Sequence, residues 1–289
     1  MSATRIIAEI ENWAGAKVVS VSALSGGSIS KVDRITLETG DNFLLKSGGE
    51  HDDIFTCEAN SLNELRQANC IRVPKVLLVG DKYLLMEYIF KGIQTPDFFY
   101  RFGRQLAKMH KKSSSKFGFY EDNYLGSTPQ PNIPTAEEGE SWFDFYYNKR
   151  LLYQYKLAEK NGYVGNELKN GFLMMETRVD EILEGSEESP SLLHGDLWKG
   201  NFMVDENSNP CLIDPAVYYG HREAELAMTR LFGGFPEEFY SAYRSSFPLP
   251  QGYDLRENIY LLYHVLNHLN LFGMGYYGQA VRLVWSYIK

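Results

Sequence analysis

The hydrophobic pattern of the chain changes near residue 96, and this change constrains the fold more than any other feature. Before it, short segments alternate apolar and polar residues or are wholly apolar, as in strands, and Gly-rich turns separate them. A short helix is predicted to open the chain, and residues 54–65 carry a second apolar helical stripe. After residue 96, helical spacing dominates. The pattern predicts an α+β chain, with an antiparallel sheet lobe containing one main helix followed by a mainly helical lobe.

The order of the segments makes this prediction specific. Three short strands at residues 16–47 form a meander, residues 53–70 form the helix, and residues 73–89 supply two more strands. We therefore expect an N-terminal lobe at residues 1–90 and a helical lobe at residues 91–289, with residues 141–161 and 167–185 as two long helices. Residues 116–134, rich in Gly, Pro, Asn and Ser, are predicted to form a loop.

Composition excludes several classes of protein. The net charge of −8 in 289 residues argues against a general nucleic-acid binder, which needs a basic surface. Three scattered cysteines give neither a disulfide framework nor a zinc site. The apolar runs are too short to cross a membrane, and the N-terminus is not a signal peptide. The sequence predicts a cytoplasmic monomer with no membrane or nucleic-acid partner.

A polar cluster within residues 192–216 carries the chemistry. His194, Asp196, Asn201 and Asp214 lie among apolar runs, and the two runs at residues 201–205 and 211–215 form a predicted hairpin. The ends of such a hairpin place Asn201 and Asp214 near each other, with Asp196 on the loop leading in. All three side chains are expected to converge on one cleft.

The spacing of this cluster is typical of phosphoryl transfer. That reaction needs a carboxylate near the attacking hydroxyl and oxygen ligands for Mg²⁺ on the nucleotide phosphates. His194, Asp196 and Asn201 reproduce the kinase catalytic-loop spacing, with Gly195 in place of arginine. Asp214 stands where the metal-binding aspartate of kinases is found, here in an Asp-Pro-Ala sequence.

The first lobe supplies the other parts of a nucleotide site. Lys46 ends the third strand and Glu58 lies on the following helix, so an ion pair between them would orient the lysine onto phosphates. The segment joining the lobes is where an adenine usually hydrogen-bonds the backbone. The Gly-rich turn could cover the phosphates, although a plain hairpin turn explains it equally well. The turn and the joining segment together comprise Gly26, Gly27, Ser28, Ile29, Ser30, Met86, Glu87 and Tyr88.

These residues resemble those of the fructosamine kinase (ketosamine-3-kinase) family, which is related to aminoglycoside phosphotransferases and choline kinases. The resemblance covers nearly the whole chain. Its most specific pieces are "LLHGDLWKGN" and "DPAVYYGHREAELAMTRLFGGFP". It implies a bilobal protein-kinase-like fold and ATP-dependent phosphorylation of the sugar 3-hydroxyl of ketosamines, whose products decompose and release the amine in protein deglycation. Ribulosamines, erythrulosamines and fructosamines are the implied substrates.

The resemblance also implies roles for single residues. Asp196 is the implied catalytic base, Asn201 and Asp214 are the Mg²⁺ ligands, and His194 is a scaffold residue. Some relatives carry a redox-sensitive cysteine in the phosphate loop; Ser28 stands there in this chain.

Two further residues are substrate candidates. Trp198 either stacks on the sugar–amine adduct or packs on the helical lobe, and His221 lies in an aromatic segment expected to shape the substrate pocket. The stripe of His264, Asn267, His268 and Leu271 is either a pocket wall or a set of satisfied core groups. For Glu223 and Glu225, at the start of a helix, a structural role is expected.

Two other functions remain open at this stage. One is phosphorylation of an aminoglycoside or amino alcohol, although residues 116–134 lack the acidic character expected for a polycation site. The other is a non-catalytic binding module, which the intact polar residues disfavour.

Overall fold

The first part of the chain forms an antiparallel sheet with a helix on each face. A computed structural model describes residues 3–24 and 30–288. The sheet has strand order β1-β2-β3-β5-β4, with every neighbouring pair antiparallel. Its elements are α1 (Ala3–Ala14), β1 (Val18–Ala23), β2 (Lys31–Leu37), β3 (Asn42–Ser47), α2 (Ile54–Ala68), β4 (Val76–Gly80) and β5 (Tyr83–Glu87).

Alternation along the strands explains why both faces of the sheet are covered. Successive side chains of a strand point to opposite faces. In β5, Leu85 packs in a cluster with Ile6 and Ile10 of α1, whereas its neighbour Leu84 belongs to the main core with Phe55 and Leu62 of α2. The predicted meander, main helix and two further strands are thus confirmed.

The rest of the chain is mainly helical. Its helices are α3 (Phe98–His110), α4 (Ala136–Glu140), α5 (Trp142–Tyr146), α6 (Tyr153–Lys160), α7 (Asn166–Glu176), α8 (Val179–Leu183), α9 (Arg222–Arg230), α10 (Glu237–Ser246), α11 (Tyr253–Phe272) and α12 (Tyr277–Trp285). A π-helical segment, Tyr147–Leu152, joins α5 to α6, and 3₁₀ turns lie at Leu231–Gly233 and Met274–Tyr276.

Three short antiparallel ladders lie among these helices. They pair β6 (Asn123–Leu125) with β7 (Thr128–Gln130), β8 (Ser191–Leu193) with β11 (Tyr218–Gly220), and β9 (Phe202–Val204) with β10 (Pro210–Leu212). The predicted loop at 116–134 is therefore more regular than expected. The chain just before β6 is joined to the chain just after β7, because Asp122 Oδ1 accepts hydrogen bonds from the backbone amides of Asn132 and Ile133, at 2.7 and 3.1 Å.

One predicted helix is wrong in extent. Residues 167–185 form two helices, α7 and α8, because the chain leaves helical geometry after Thr177. The Thr177 hydroxyl donates to the carbonyl of Met174 at 2.9 Å, and Arg178 has φ −129°. A hydroxyl that bonds back to the preceding turn competes with helix propagation, and the apolar periodicity carries no trace of this.

Arg72 ties the sheet to the helical part of the chain beside the linker after β5. Its guanidinium donates to Glu87 at the end of β5, at 2.7 Å, and to Asp205 and Glu206 of the β9–β10 turn, both at 2.8 Å. Close by, the Gly92 amide donates to the Val204 carbonyl at 2.9 Å. The main hydrophobic cluster also includes α2 as well as the later helices. The lobe boundary at residues 90 and 91 stays a prediction.

Within the described residues, every helix is too short or too polar to cross a bilayer.

Candidate active site

The β9–β10 hairpin brings the predicted metal ligands together, as the sequence indicates. The amide of Ile213 donates to the carbonyl of Asn201 at 3.1 Å and extends the ladder by one pair, so Asn201 and Asp214 lie at the open end of the hairpin. Asn201 then reaches the preceding loop. Its Nδ2 donates to both the backbone oxygen and Oδ2 of Asp196, each at 2.8 Å. Asp196, Asn201 and Asp214 thus belong to one site.

The backbone at this site is tightly constrained. Gly195 has φ +85°, and a Cβ at this position would lie 1.9 Å from the carbonyl oxygen of Ala216. The Ala216 amide also donates to the His194 carbonyl at 2.9 Å. Asp214 itself has φ +56°, a conformation uncommon for residues other than glycine. Such strain is concentrated at functional sites, and here it aims the carboxylate of Asp214 into the cleft, where its side chain is 47% exposed.

His194 holds the loop from within. Its ring is buried; Nε2 donates to the Ile213 carbonyl at 2.9 Å, and Nδ1 accepts from the Asp196 amide at 3.3 Å. Burial lowers the pKa of His194, although the charge of Glu225 opposes this shift. A neutral ring bonded on both sides has no free nitrogen for proton transfer, which supports the prediction that His194 is a scaffold residue.

Glu225 of α9 holds the loop at residues 194–201, which we call the catalytic loop, through hydrogen bonds to its backbone. Its carboxylate accepts the backbone amides of His194, at 3.1 Å, and Gly195, at 2.7 Å. It also bonds Nε2 of His110 at 2.8 Å, and His110 bonds the Tyr243 hydroxyl at 2.7 Å. Although burial opposes it, this set of donors lowers the pKa of Glu225 and keeps the buried carboxylate charged. No local pattern in the sequence signals this contact, because Glu225 lies 30 residues after Gly195.

Asp196, the predicted base, has a strongly shifted pKa. Asp196 keeps some contact with solvent. Even so, the surrounding protein desolvates its carboxylate and raises the pKa of Asp196 well above the usual range. The amide of Asn201 opposes this effect, and the charges of Asp214 and Glu225 add to it. A carboxylate with a raised pKa is a stronger base than an ordinary surface aspartate.

Lys46 links the sheet to this site. Its Nζ lies 2.5 Å from Glu58 Oε1 of α2 and 2.6 Å from Asp214 Oδ1. Burial alone would lower the pKa of Lys46, but the charges of Asp214 and Glu58 outweigh it and raise the pKa. The Lys46–Glu58 pair expected from the sequence is therefore present in the structure, and Asp214 adds a contact that the sequence did not indicate.

Asn201 and Asp214 form a donor set that fits a hard cation. Both Nδ2 bonds of Asn201 go to Asp196, so Oδ1 is the atom of this amide that can coordinate a metal. Asp214 adds a carboxylate oxygen. Two protein oxygens suit Mg²⁺ that is also held by nucleotide phosphates, rather than a metal held by protein alone. Within the described residues, no group of three or more His, Cys, Asp or Glu side chains is arranged to hold a metal ion.

The other predicted nucleotide contacts are only partly described. Gly26, Gly27, Ser28 and Ile29 lie outside the described residues, and Ser30 directly precedes β2. At the end of β5, Met86 is buried and Glu87 bonds Arg72, and at the start of the linker the ring of Tyr88 lies 4.9 Å from the Arg34 guanidinium. These side chains are engaged within the protein, so an adenine at this linker would have to use backbone atoms.

The two substrate candidates lie in different environments. Trp198 follows Asp196 by two residues, is half-buried, and makes an edge-to-face contact with Phe232 at 5.3 Å. His221 instead lies in the interior, where its Nδ1 accepts the Glu223 amide at 3.2 Å and caps α9. The His221 ring has no exposed surface, so the structure does not bring it to the cleft. Its substrate role was inferred from proximity in sequence to Asp214, but β11 leads the chain inward before α9 begins.

Comparison with known proteins decides the family. A profile of the fructosamine kinases matches residues 2–289. The chain belongs to the fructosamine kinase family. It is 39% identical over 280 residues to a chloroplastic protein-ribulosamine 3-kinase of Oryza sativa subsp. indica, covering 94% of this chain and 80% of the relative.

Solved structures give the same assignment. A Thermobifida fusca protein assigned to the fructosamine-3-kinases superposes with a TM-score of 0.88 at 30% identity, and 98% of each chain is covered. The choline kinase LicA of Streptococcus pneumoniae shares the fold, with a TM-score of 0.67 at 16% identity over 99% of this chain and 100% of LicA. The predicted α+β protein-kinase-like fold is confirmed.

Proposed function

We propose that this member of the fructosamine kinase family is an ATP-dependent ketosamine 3-kinase that phosphorylates the sugar 3-hydroxyl of ribulosamine, erythrulosamine or fructosamine adducts. The observation that carries the proposal is the meeting of Lys46, Asp196, Asn201 and Asp214 at one cleft in a chain of this family. The relative from Oryza is named for ribulosamine phosphorylation at the same hydroxyl.

The residues of the site have distinct roles in this proposal. Asp196 accepts the proton of the 3-hydroxyl as its oxygen bonds to the γ-phosphorus and the bond to the bridging β,γ-oxygen breaks, releasing ADP. Lys46, oriented by Glu58, holds the nucleotide phosphates. Asn201 and Asp214 would hold Mg²⁺, which when bound neutralises charge on the phosphates. The Gly-rich turn, Ser30 and the backbone at residues 86–88 remain the proposed contacts for the rest of ATP.

Mutation of Asp196 tests the assignment. Replacing it by asparagine keeps the shape of the side chain and removes the base. We expect ADP release with a ribulosamine substrate to fall about 10²- to 10⁴-fold, with folding intact. The matched control is Asp180→Asn, which changes an exposed carboxylate on α8. Phosphorus NMR of the wild-type product locates the new phosphate ester.

A substrate panel separates the alternatives. The panel contains ribulosamine, erythrulosamine and fructosamine adducts together with an aminoglycoside and choline. Turnover of a ketosamine at the 3-hydroxyl supports the proposal. Turnover restricted to an aminoglycoside or choline, or none with any ketosamine, refutes it.

A further inference from the structure

A continuous set of aromatic rings extends from the catalytic loop to the end of α11. Trp198 contacts Phe232, whose ring centroid lies 5.0 Å from that of His268. His268 in turn contacts Phe272 at 5.5 Å and Tyr276 at 5.1 Å. We call these five residues the aromatic wall. The wall begins at Trp198, whose ring lies over the Cα of Gly200, and the next residue, Asn201, bonds the carboxylate of Asp196. It therefore starts on the loop that carries the proposed base.

Trp198 and Tyr276 pack partly against the main core, but the two phenylalanines of the wall do not belong to it. Phe232 is 41% exposed and Phe272 is 56% exposed, and Met274 beside them is also exposed. Burial of these rings therefore contributes only part of the stabilisation that a core aromatic would give. Contiguous exposed apolar surface of this kind marks a binding surface more often than isolated apolar residues do.

The backbone of Phe232 gives an independent reason to expect a ligand there. It has φ 59° and ψ 38°, the left-handed conformation, in which a bulky side chain is an outlier. Two glycines follow it directly, yet the strained position itself is occupied by an aromatic residue. Local strain persists where the side chain it presents has a use. Here it presents a half-exposed ring against Trp198.

The chemistry of the wall suits a cation. The faces of tryptophan, phenylalanine and tyrosine rings attract ammonium groups within about 6 Å. His268 does not oppose this, because Nδ1 donates to the His264 carbonyl at 2.8 Å and burial lowers the pKa of His268, which keeps the ring neutral. In a ketosamine, the group next to the sugar is a secondary amine that is protonated at neutral pH and carries the alkyl chain of the glycated amine.

We propose that the aromatic wall binds the protonated amine and the adjoining alkyl chain of the ketosamine, as found in an adduct on a lysine side chain. The inference rests on the proposed function and extends it, because it assigns the amine portion of the substrate to Phe232, His268, Phe272 and Tyr276 in addition to Trp198. The sugar then lies between the wall and Asp196, and the polypeptide that bears the lysine lies beyond Phe272.

Phe232→Gly is the sharpest variant for a test. Glycine adopts the left-handed conformation without strain, so the variant removes the ring while the backbone of the Leu231–Gly233 turn is retained. Phe272→Ala removes the outermost ring at the end of α11. Leu255→Ala is the matched control, because it shortens an exposed apolar side chain at the opposite end of the same helix.

Two substrates isolate the contribution of the positive charge on the amine to kcat/KM. One is the ribulose adduct on the ε-amine of an Nα-blocked lysine; the other has the same ketose and alkyl chain but an ether oxygen in place of the amine. For each enzyme, kcat/KM is measured for both, and their ratio gives the preference for the cation. Phe232→Gly should lower this ratio about 3- to 30-fold, through KM of the lysine adduct, with the KM for ATP unchanged. Phe272→Ala should lower it less, and Leu255→Ala should leave it as in wild type.

The remaining outcomes have distinct meanings. An unchanged ratio in both wall variants overturns the inference, even if kcat/KM falls for both substrates together, since the wall would then support the fold or a neutral part of the substrate. Wild-type turnover of the lysine adduct with an unchanged ratio leaves the proposed function standing. Absence of wild-type turnover with either substrate and with the ketosamine panel overturns the proposed function and this inference with it.

Discussion

The catalytic loop and the aromatic wall meet at Trp198, yet they are built in opposite ways. The loop is held by buried polar bonds: Glu225 takes two of its amides, and His194 joins it to Ile213. The wall consists of rings in edge-to-face and tilted contact, and its Phe232 and Phe272 rings remain partly open to solvent. In the proposed function, the loop has to hold a base in one geometry. The wall has to accept amines of different length, and a surface without directional bonds suits that task.

Gly195→Ala tests the loop most severely. The added methyl group would lie 1.9 Å from the Ala216 carbonyl oxygen in a left-handed conformation. We expect a loss of about 3 kcal/mol or more in the free energy of unfolding and at least about a 10²-fold fall in kcat, because the loop has to shift. Urea denaturation and steady-state kinetics measure these effects.

Gly162→Ala is the control for that variant. Its φ is +75° and no atom lies within 4 Å of the new methyl group. It should cost only about 1 kcal/mol and leave kcat as in wild type. Equal behaviour of the two variants would mean that contact with residue 216 does not position the loop.

Glu225→Gln is the next largest change, and it separates stability from positioning. The amide cannot accept all the bonds that the carboxylate accepts, so His194, Gly195 or His110 loses its partner. We expect a loss of about 3 kcal/mol of stability and a fall in kcat of about 10-fold or more. Thermal denaturation and kcat per folded molecule are the measurements.

Glu223→Gln, in the same turn of α9, is the control. Glu223 is buried like Glu225, but it pairs with Arg256 at 2.7 Å instead of with the catalytic loop. The Glu223→Gln variant should lose a comparable amount of free energy of unfolding and keep the kcat of the wild type. If both variants lose kcat alike, the effect of Glu225 is structural.

Acid should weaken the helices that support both regions. Burial lowers the pKa of His221, at the start of α9, and of His264, in α11, each to about 3. The unfolded chain takes up these protons near pH 6.5, whereas the folded chain resists them until about pH 3. Stability should therefore fall as pH drops below about 6.5, by about 1.4 kcal/mol per pH unit for each histidine.

The titration is checked by denaturation midpoints between pH 7 and pH 5. His221→Asn keeps a side chain able to cap α9 and removes the titrating ring. Its stability should depend less steeply on pH than that of wild type. An identical dependence would show that His221 is protonated in the folded state.

Phe232→Gly has the smallest predicted effect on stability, in contrast to its predicted effect on substrate preference. Relief of left-handed strain opposes the loss of a half-exposed ring, so the free energy of unfolding should change by less than about 1 kcal/mol. A loss of several kcal/mol on thermal denaturation would place Phe232 with the core and erase the contrast between wall and loop.

The sequence carried enough information to predict the sheet and the centre of the site because both depend on local patterns. Alternation in β2, the short apolar run in β3 and the hairpin around residues 205–209 are short-range signals, and the hairpin itself brings Asn201 to Asp214. Lys46 and Glu58 were predicted from their order relative to strand and helix.

Contacts between distant elements could not be predicted in this way. Glu225 has the sequence signature of a helix N-terminus, and only the packing of α9 under the catalytic loop reveals its second role. His221 is the opposite case, since it is near the site in sequence but its ring is turned into the interior. The strain at Phe232 has no sequence signal beyond the glycines that follow it.

The joint at Arg72 is electrostatic, unlike the apolar core that α2 shares with the later helices. One guanidinium is shared by Glu87 on the sheet side and by Asp205 and Glu206 on the helical side, and the hydrogen bond from Gly92 to Val204 lies next to it. Dissolved salt screens partly exposed charge pairs but does not screen apolar contacts. High ionic strength should therefore loosen this joint while the core keeps the sheet and the helices together.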